Sequence, residues 1–350
     1  MKDVKVGPIT RWHNRFNMKR FNIILVLCIT TSCSTINKHQ FSYIDHSLDR
    51  DQIYLADPTI FYYNDVYYLY GTTDAALNDV GEGFLVYTSK DLKKWNGPEG
   101  KSNGLALQKG DAFGTKGFWA PQVFKYQNRF YMAYTADEQI AIATSDNPLG
   151  PFKNVKKEAM QADVKQIDPF IFFDTDGKKY LYHVRLTEGN RIFVAELEDS
   201  LLQIKPETLK ECIAGNLNWE NTAAANWSVV EGPTVLKHRK LYYLIYSAND
   251  FRNPDYAVGY ATSKSPFGPW EKAKFNPIIH KNKVCEYGTG HGDTFLDKNG
   301  RLQYVLHTHL TKEKVNPRKT AIIEIEFKKD VNGHLDKLEV ENKSFRLLKF

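Results

Sequence analysis

Three carboxylates and one imidazole occupy matching places in this sequence: Asp57 in LADPTIF, Asp168 in QIDPFIF, Glu231 in VVEGPTV and His291 in GHGDTF. Each stands at the start of a short apolar run. A single Asp-Pro pair reads as a turn initiator and nothing more. Four polar residues in one kind of position ask for another explanation. If the runs converge, the carboxyls share one pocket, and like charges in one pocket push their pKa values apart. One carboxyl then keeps its proton near neutral pH while another is ionised. That division of labour is what cleavage of a glycosidic bond needs.

The elements that must bring these residues together are legible as a repeat. The stretch from Asp57 to Thr72 reads as a hairpin, with Asn64-Asp65 as its turn. It recurs as WAPQVFKYQNRFYMAYTA, DPFIFFDTDGKKYLYHVR, EGPTVLKHRKLYYLIYSA and HGDTFLDKNGRLQYVLHT, with start-to-start spacings of 62 (57 to 119), 49 (119 to 168), 63 (168 to 231) and 60 (231 to 291) residues. A weaker strand pattern follows each hairpin, at 84–95, 140–152, 191–202, 256–270 and 321–327. Four short strands in each of five units predict an all-β fold, a five-bladed β-propeller forming a single domain over residues 45–350. A β-sandwich also alternates strands and turns, but it gives no reason for five matching hairpins. Because the first strand of each blade lines the central axis, Asp57, Ala120, Asp168, Gly232 with Glu231 beside it, and His291 should form one ring at one mouth of the channel. The segment 203–228 reads as a long loop between blades.

Composition agrees. The chain is 42% hydrophobic and 25% charged, with 20 Tyr and 21 Phe concentrated in short runs bounded by turn residues. Its formal charge of +6 is misleading. Residues 1–32 carry six cations and one acid, a net +5, which leaves 6 − 5 = +1 for the rest. No basic surface for nucleic acid is expected. Lys19 and Arg20 precede the apolar run Phe21 to Ile29, which at about ten residues is too short for a permanent membrane helix. With small residues leading to Cys33, the segment resembles a bacterial lipoprotein signal, although Thr30 departs from the usual Leu. The expectation is a leader over residues 1–33, a polar tether over 34–44, export, and a membrane contact through a lipid anchor alone. Met18 is an alternative start, which would make residues 1–17 an extension. Cys212 and Cys285 remain, either as one disulfide or as two buried thiols.

The motifs LADPTI, FWAPQV, QIDPFIF, VVEGPTV, YSANDFRNPDYAVGYATSKSPFGPW and GTGHGDTF, in this order and spacing, resemble family 43 glycoside hydrolases over nearly the whole mature chain. The resemblance implies a five-bladed propeller and roles for the three acids. Asp57 matches the general base, Glu231 the general acid, and Asp168 the acid that raises the pKa of Glu231 and orients it. It implies inversion at the anomeric carbon, with base and acid about 6.5–9.5 Å apart. It also implies that His291 contacts a cation in the channel, usually Ca2+, against the alternative that His291 closes the ring by hydrogen bonds. Trp119 and Phe118 are candidates for a wall against the sugar, the alternative being packing between blades. Trp219 and Trp227 are candidates for outer subsites, and Arg185 is a further substrate-binding candidate, which with His183 ends the second strand of the third blade, against the alternative that this edge is remote from the mouth. His307 and His309 alternate along one strand with no role assigned. The implied activity is that of an α-L-arabinofuranosidase acting on plant cell-wall oligosaccharides as a monomer, with β-xylosidase or endo-arabinanase as alternatives. A non-catalytic glycan-binding lipoprotein is the competing class, and loss of one of the three acids would have favoured it.

Overall fold

Asn64 and Asp65 both adopt left-handed backbone angles (φ 48° and 60°), and Tyr63 pairs with Val66 across them. This is the two-residue turn whose twist matches paired strands. It joins β1 (Ala56–Tyr63) to β2 (Val66–Thr72). The computed structural model describes residues 48–74, 82–154, 156–329 and 336–350. The expected leader and tether lie outside the described residues. Among the described residues, no helix is long and apolar enough to cross a membrane.

The first sheet is completed by β3 (Gly83–Ser89) and β4 (Leu105–Gln108). The second holds β5 (Trp119–Tyr126), β6 (Arg129–Ala136) and β7 (Gln139–Ser145), and only a Thr144–Lys153 bridge stands where a fourth strand would be. The third has β8 (Gln166–Phe173), β9 (Lys179–Leu186), β10 (Asn190–Glu196) and β11 (Lys210–Ile213). The fourth has β12 (Val230–His238), β13 (Leu241–Ala248), β14 (Ala257–Ser263) and β15 (Glu271–Lys272). The fifth has β16 (Gly290–Leu296), β17 (Leu302–Thr308), β18 (Lys319–Lys328) and β19 (Lys337–Leu347). Within each sheet the strands pair antiparallel, and the first strands β1, β5, β8, β12 and β16 neighbour one another in a closed ring. The fold is a five-bladed β-propeller. The expected loop at 203–228 needs correction, because its residues 210–213 are β11, the outer strand of the third blade.

Alternation along each strand sends apolar side chains to both faces of a blade, so one apolar core forms in each of the five gaps between blades. Phe84, Phe118, Tyr134 and Phe152 fill the gap between the first and second blades, and Tyr67, Leu69, Phe295 and Val305 fill the gap between the fifth and first. Burying each such ring contributes roughly 1.5–3 kcal/mol. The ring is closed by the segment before β1. Ile53 exchanges hydrogen bonds with Leu348 (3.0 Å) and Thr320 (3.1 Å), and the Gln52 amide donates to the Leu348 carbonyl at 2.9 Å. Cys212 and Cys285 are free, so no disulfide joins them, and Cys285 is exposed.

Candidate active site

The five first strands share one irregularity. Each has a register shift near its start, between Ala56 and Thr59, Trp119 and Gln122, Ile167 and Phe170, Glu231 and Thr234, and Gly290 and Gly292. At each bulge one residue is left-handed: Asp57 (φ 47°), Ala120 (45°), Asp168 (57°), Gly232 (58°) and His291 (40°). For the four that are not glycine this conformation costs on the order of 1–2 kcal/mol each. The conformation turns these residues towards the channel, which they line together. At the one glycine, a Cβ would lie 2.8 Å from the His291 ring, so Gly232 also makes room for that imidazole.

The freed backbone N–H groups at these bulges need acceptors. Side chains at the mouth end of each second strand supply them to the next blade. Thr72 Oγ1 accepts from Ala120 N (2.9 Å), Thr135 Oγ1 from Asp168 N (3.0 Å), Ser247 Oγ from His291 N (2.7 Å) and His307 Nδ1 from Asp57 N (3.1 Å). The corresponding residue of the third blade, opposite Ile167, is Val184, which has no acceptor. Gly232 N therefore donates to the Asp168 carboxylate instead, at 3.1 Å from Oδ2.

The three acids are almost sealed from solvent: Asp57 is 8% exposed, Asp168 6% and Glu231 8%. Their surroundings differ. Asp57 Oδ2 accepts from Thr72 Oγ1 (2.7 Å), while Oδ1 lies 3.1 Å from Arg318 Nη1, 3.3 Å from His291 Nδ1 and 3.4 Å from His307 Nδ1. Burial works to raise its pKa, but Arg318 and the two imidazoles outweigh it and hold the carboxyl well below the usual range. Arg318 is itself held by Asp74, through Nη2 (2.9 Å) and the backbone N–H (2.7 Å). Among the described residues, no cation is paired with Glu231. It accepts only from neutral donors, Tyr256 OH at 2.9 Å from Oε1 and Asn190 Nδ2 at 3.1 Å from Oε2. Burial, together with the nearby Asp57 charge, pushes Glu231 up to about 7 against those two hydrogen bonds. Asp168 is likewise raised well above the usual range, by burial and then by Glu231 and Asp57. Glu231 and Asp168 thus form a pair that retains a proton near neutrality, facing an ionised Asp57.

One buried carboxyl is held ionised by an arginine and another is kept protonated by burial, the contrast that acid–base cleavage of a glycosidic bond requires. The profile of glycosyl hydrolases family 43 matches residues 52–331. The chain belongs to glycosyl hydrolases family 43. It is similar to a solved structure described as an endo-1,4-β-xylanase from Bacteroides thetaiotaomicron VPI-5482, with 40% identity and a TM-score of 0.75 over 85% of this chain and 97% of that one. Among curated proteins it is similar to a xylosidase/arabinosidase 43A from Humicola insolens (28% identity over 62% of this chain and 78% of the relative). It is also similar to a β-D-galactofuranosidase from Aspergillus niger (24% identity over 77% and 78%). The chain is a glycoside hydrolase.

The other residues singled out from sequence separate sharply in this family 43 propeller. Trp119 is 38% exposed and occupies in the second blade the position that Glu231 occupies in the fourth, each one residue before the ring. Phe118 is not part of a sugar wall: it is 3% exposed, stacked on Tyr134 and edge-on to Phe84. Trp219 is also corrected, since it packs on Tyr246 and against Gly259 and so pins its loop to the fourth blade. Trp227 is 48% exposed, and its Nε1 donates to Asn190 Oδ1 at 2.9 Å, one step from Glu231. Arg185 lies at the mouth end of β9 but pairs with Asp163 and stacks over Phe193, which occupies its guanidinium. His183 is buried beside it, with its pKa pushed down to about 3 by that burial. His307 serves Asp57, whereas His309 bonds the Phe251 carbonyl at 2.7 Å.

The sequence reading had no place for Asn190, Tyr256, Arg318, Asp74 and Thr72. The first four lie outside the repeated hairpins, and Tyr256 alone fell within a quoted motif. The resemblance implies a calcium ion beside His291. His291 turns Nδ1 to Asp57 and Asp168 (3.3 and 3.8 Å), and among the described residues no three His, Cys, Asp or Glu side chains are grouped to hold an ion. Calcium takes about six to eight oxygen ligands. One imidazole supplies none of these, so an ion beside His291 would draw its oxygens from water.

Proposed function

We propose that this glycoside hydrolase removes α-L-arabinofuranosyl units from the ends of plant cell-wall oligosaccharides by a single displacement with inversion. The observation that carries the mechanism is the opposed state of two buried carboxyls: Asp57 is held low by Arg318, and Glu231 is raised to about 7 by burial. Asp57 takes a proton from a water as that water attacks the anomeric carbon. Glu231 gives its proton to the leaving oxygen. Asp57 and Glu231 stand on non-adjacent blades, which suits the separation of about 6.5–9.5 Å that lets a water enter. Asp168, fixed by Gly232 N–H, keeps negative charge or a shared proton beside Glu231 and so favours its acid form. Trp119 offers the sugar an exposed flat wall.

The choice of sugar rests on the relatives. The Humicola protein is named for arabinosidase and xylosidase action, and the Aspergillus protein for a furanoside. A β-xylosidic substrate is the second reading, favoured by the xylanase description of the Bacteroides structure. A panel of nitrophenyl arabinofuranoside, xyloside and galactoside, with linear arabinan, separates these. The arabinofuranoside should be cleaved fastest. Preference for the xyloside supports the second reading, and inactivity on all, with measurable oligosaccharide binding, would leave only a glycan-binding propeller.

A further inference from the structure

Beside the general acid lies a second, larger cavity that the acids do not line. Its volume is about 450 Å3, and its walls include Asn221, Ala223, Ala225, Trp227, Asp250 and Arg252. We propose that this pocket binds the leaving-group side of the substrate, as a neutral sugar ring of an oligosaccharide, and that the enzyme is built for oligosaccharides over small leaving groups. The inference rests on the glycosidase reading above and adds where the rest of the substrate goes.

Position is the first argument. A proton delivered by Glu231 reaches the leaving oxygen, so whatever that oxygen carries must extend past the acid. Asn190 bonds Glu231 Oε2 (3.1 Å) on one side and the Trp227 indole (2.9 Å) on the other. Ser228 O accepts from Asn190 N at 2.9 Å, which ties the same stretch to the acid's support. Asp250, on the far wall, is close enough to add to the upward push on Glu231. The pocket and the acid are therefore neighbours.

The walls are built and anchored. Buried Glu220 accepts from Lys272 Nζ (2.7 Å), Tyr246 OH (2.6 Å) and two backbone N–H groups, of Asn216 (2.8 Å) and Leu217 (2.9 Å). Asn249 then ties the loop to the fourth blade. Its Oδ1 accepts from Thr222 N (2.8 Å) and its Nδ2 donates to Trp219 O (2.8 Å). Such anchoring holds a binding surface in shape before the ligand arrives, which lowers the entropy lost on binding.

The chemistry of the lining names the class of ligand. Trp227 presents an open aromatic face, against which the C–H face of a sugar ring packs. Arg252 and Asp250 neutralise each other through two bonds of 2.7 and 2.5 Å, and so offer both donors and acceptors with little net charge. That suits hydroxyls and gives a uronic acid no unpaired cation to meet.

The test compares an arabinofuranosyl fluoride, whose leaving group is too small to reach the pocket, with the unlabelled arabino-trisaccharide. Ala225→Trp and Ala223→Trp fill the pocket at exposed positions. Each should lower the ratio of kcat/KM for trisaccharide to that for fluoride by about tenfold, the loss of a single modest binding contact. As a second readout, saturation-transfer NMR of the trisaccharide on Glu231→Gln should lose intensity at the leaving-side rings when Trp227→Ala is added. An unchanged ratio in both filled variants, or unchanged transfer with Trp227→Ala, would overturn the proposal. Failure of the unmodified enzyme to cleave either pentoside would instead sink the glycosidase reading, a distinguishable result.

Discussion

At the scale of single residues, two carboxyls with similar intrinsic chemistry are driven apart by what touches them. Asp57 has a guanidinium and two imidazoles, and Glu231 has a phenol and an amide. The pH profile of kcat/KM follows from this contrast. The base must be ionised, and with its pKa lowered Asp57 stays ionised below the ordinary carboxylate range. The acid must be protonated, so activity falls as pH rises through about 7, where Glu231 loses its proton. Tyr256 donates to the ionised form and holds that value down. Tyr256→Phe should therefore move the basic limb of the profile upward, and a limb that stays or moves down would remove the phenol from this role. These contacts were not readable from the chain, because Asn190, Tyr256 and Arg318 stand at or just before the start of the weaker third-strand pattern, where position alone does not show what a side chain touches. The acids themselves were readable, since each opens a recurring hairpin.

At the scale of elements, the blade is a device for placing one left-handed residue at the mouth and feeding its N–H to the neighbouring blade. Thr72, Thr135, Ser247 and His307 do this for four blades, and Val184 breaks the series. That break frees Gly232 N–H to hold Asp168. Val184→Thr is nearly isosteric and restores an acceptor, so it should draw the Gly232 N–H away and let Asp168 swing. We expect kcat to fall by about tenfold or more, as misplacement of a positioned group does, with an altered pH profile and an intact fold by circular dichroism. Wild-type kcat and pH profile in Val184→Thr would show that the bond does not position Asp168. Alternation explains where the sequence reading of side chains succeeded and failed at this scale. Trp119 and Phe118 are adjacent in FWAPQV, so one faces out and the other the gap between blades. The outer strands were missed for a different reason: β4, β11 and β15 are only four, four and two residues long and carry little apolar pattern.

At the scale of the whole molecule, five short stretches far apart in sequence meet because their strands circle one axis, and the five apolar gaps hold that circle rigid. The hairpin repeat made the number of blades and the ring of mouth residues legible. It could not show the 450 Å3 pocket, whose walls come from the loop before β12 and the loop after β13. In the mechanism we propose, this ring delivers Glu231 as the proton donor to a leaving oxygen, opposite Asp57. The most direct test compares the wild-type enzyme and Glu231→Gln on two substrates, a dinitrophenyl arabinofuranoside that departs without a proton and an arabino-oligosaccharide that needs one. Glu231→Gln should lose about 10²–10⁴-fold in kcat/KM on the oligosaccharide and far less on the dinitrophenyl glycoside. An equal loss on both, or none on the oligosaccharide, would contradict that mechanism.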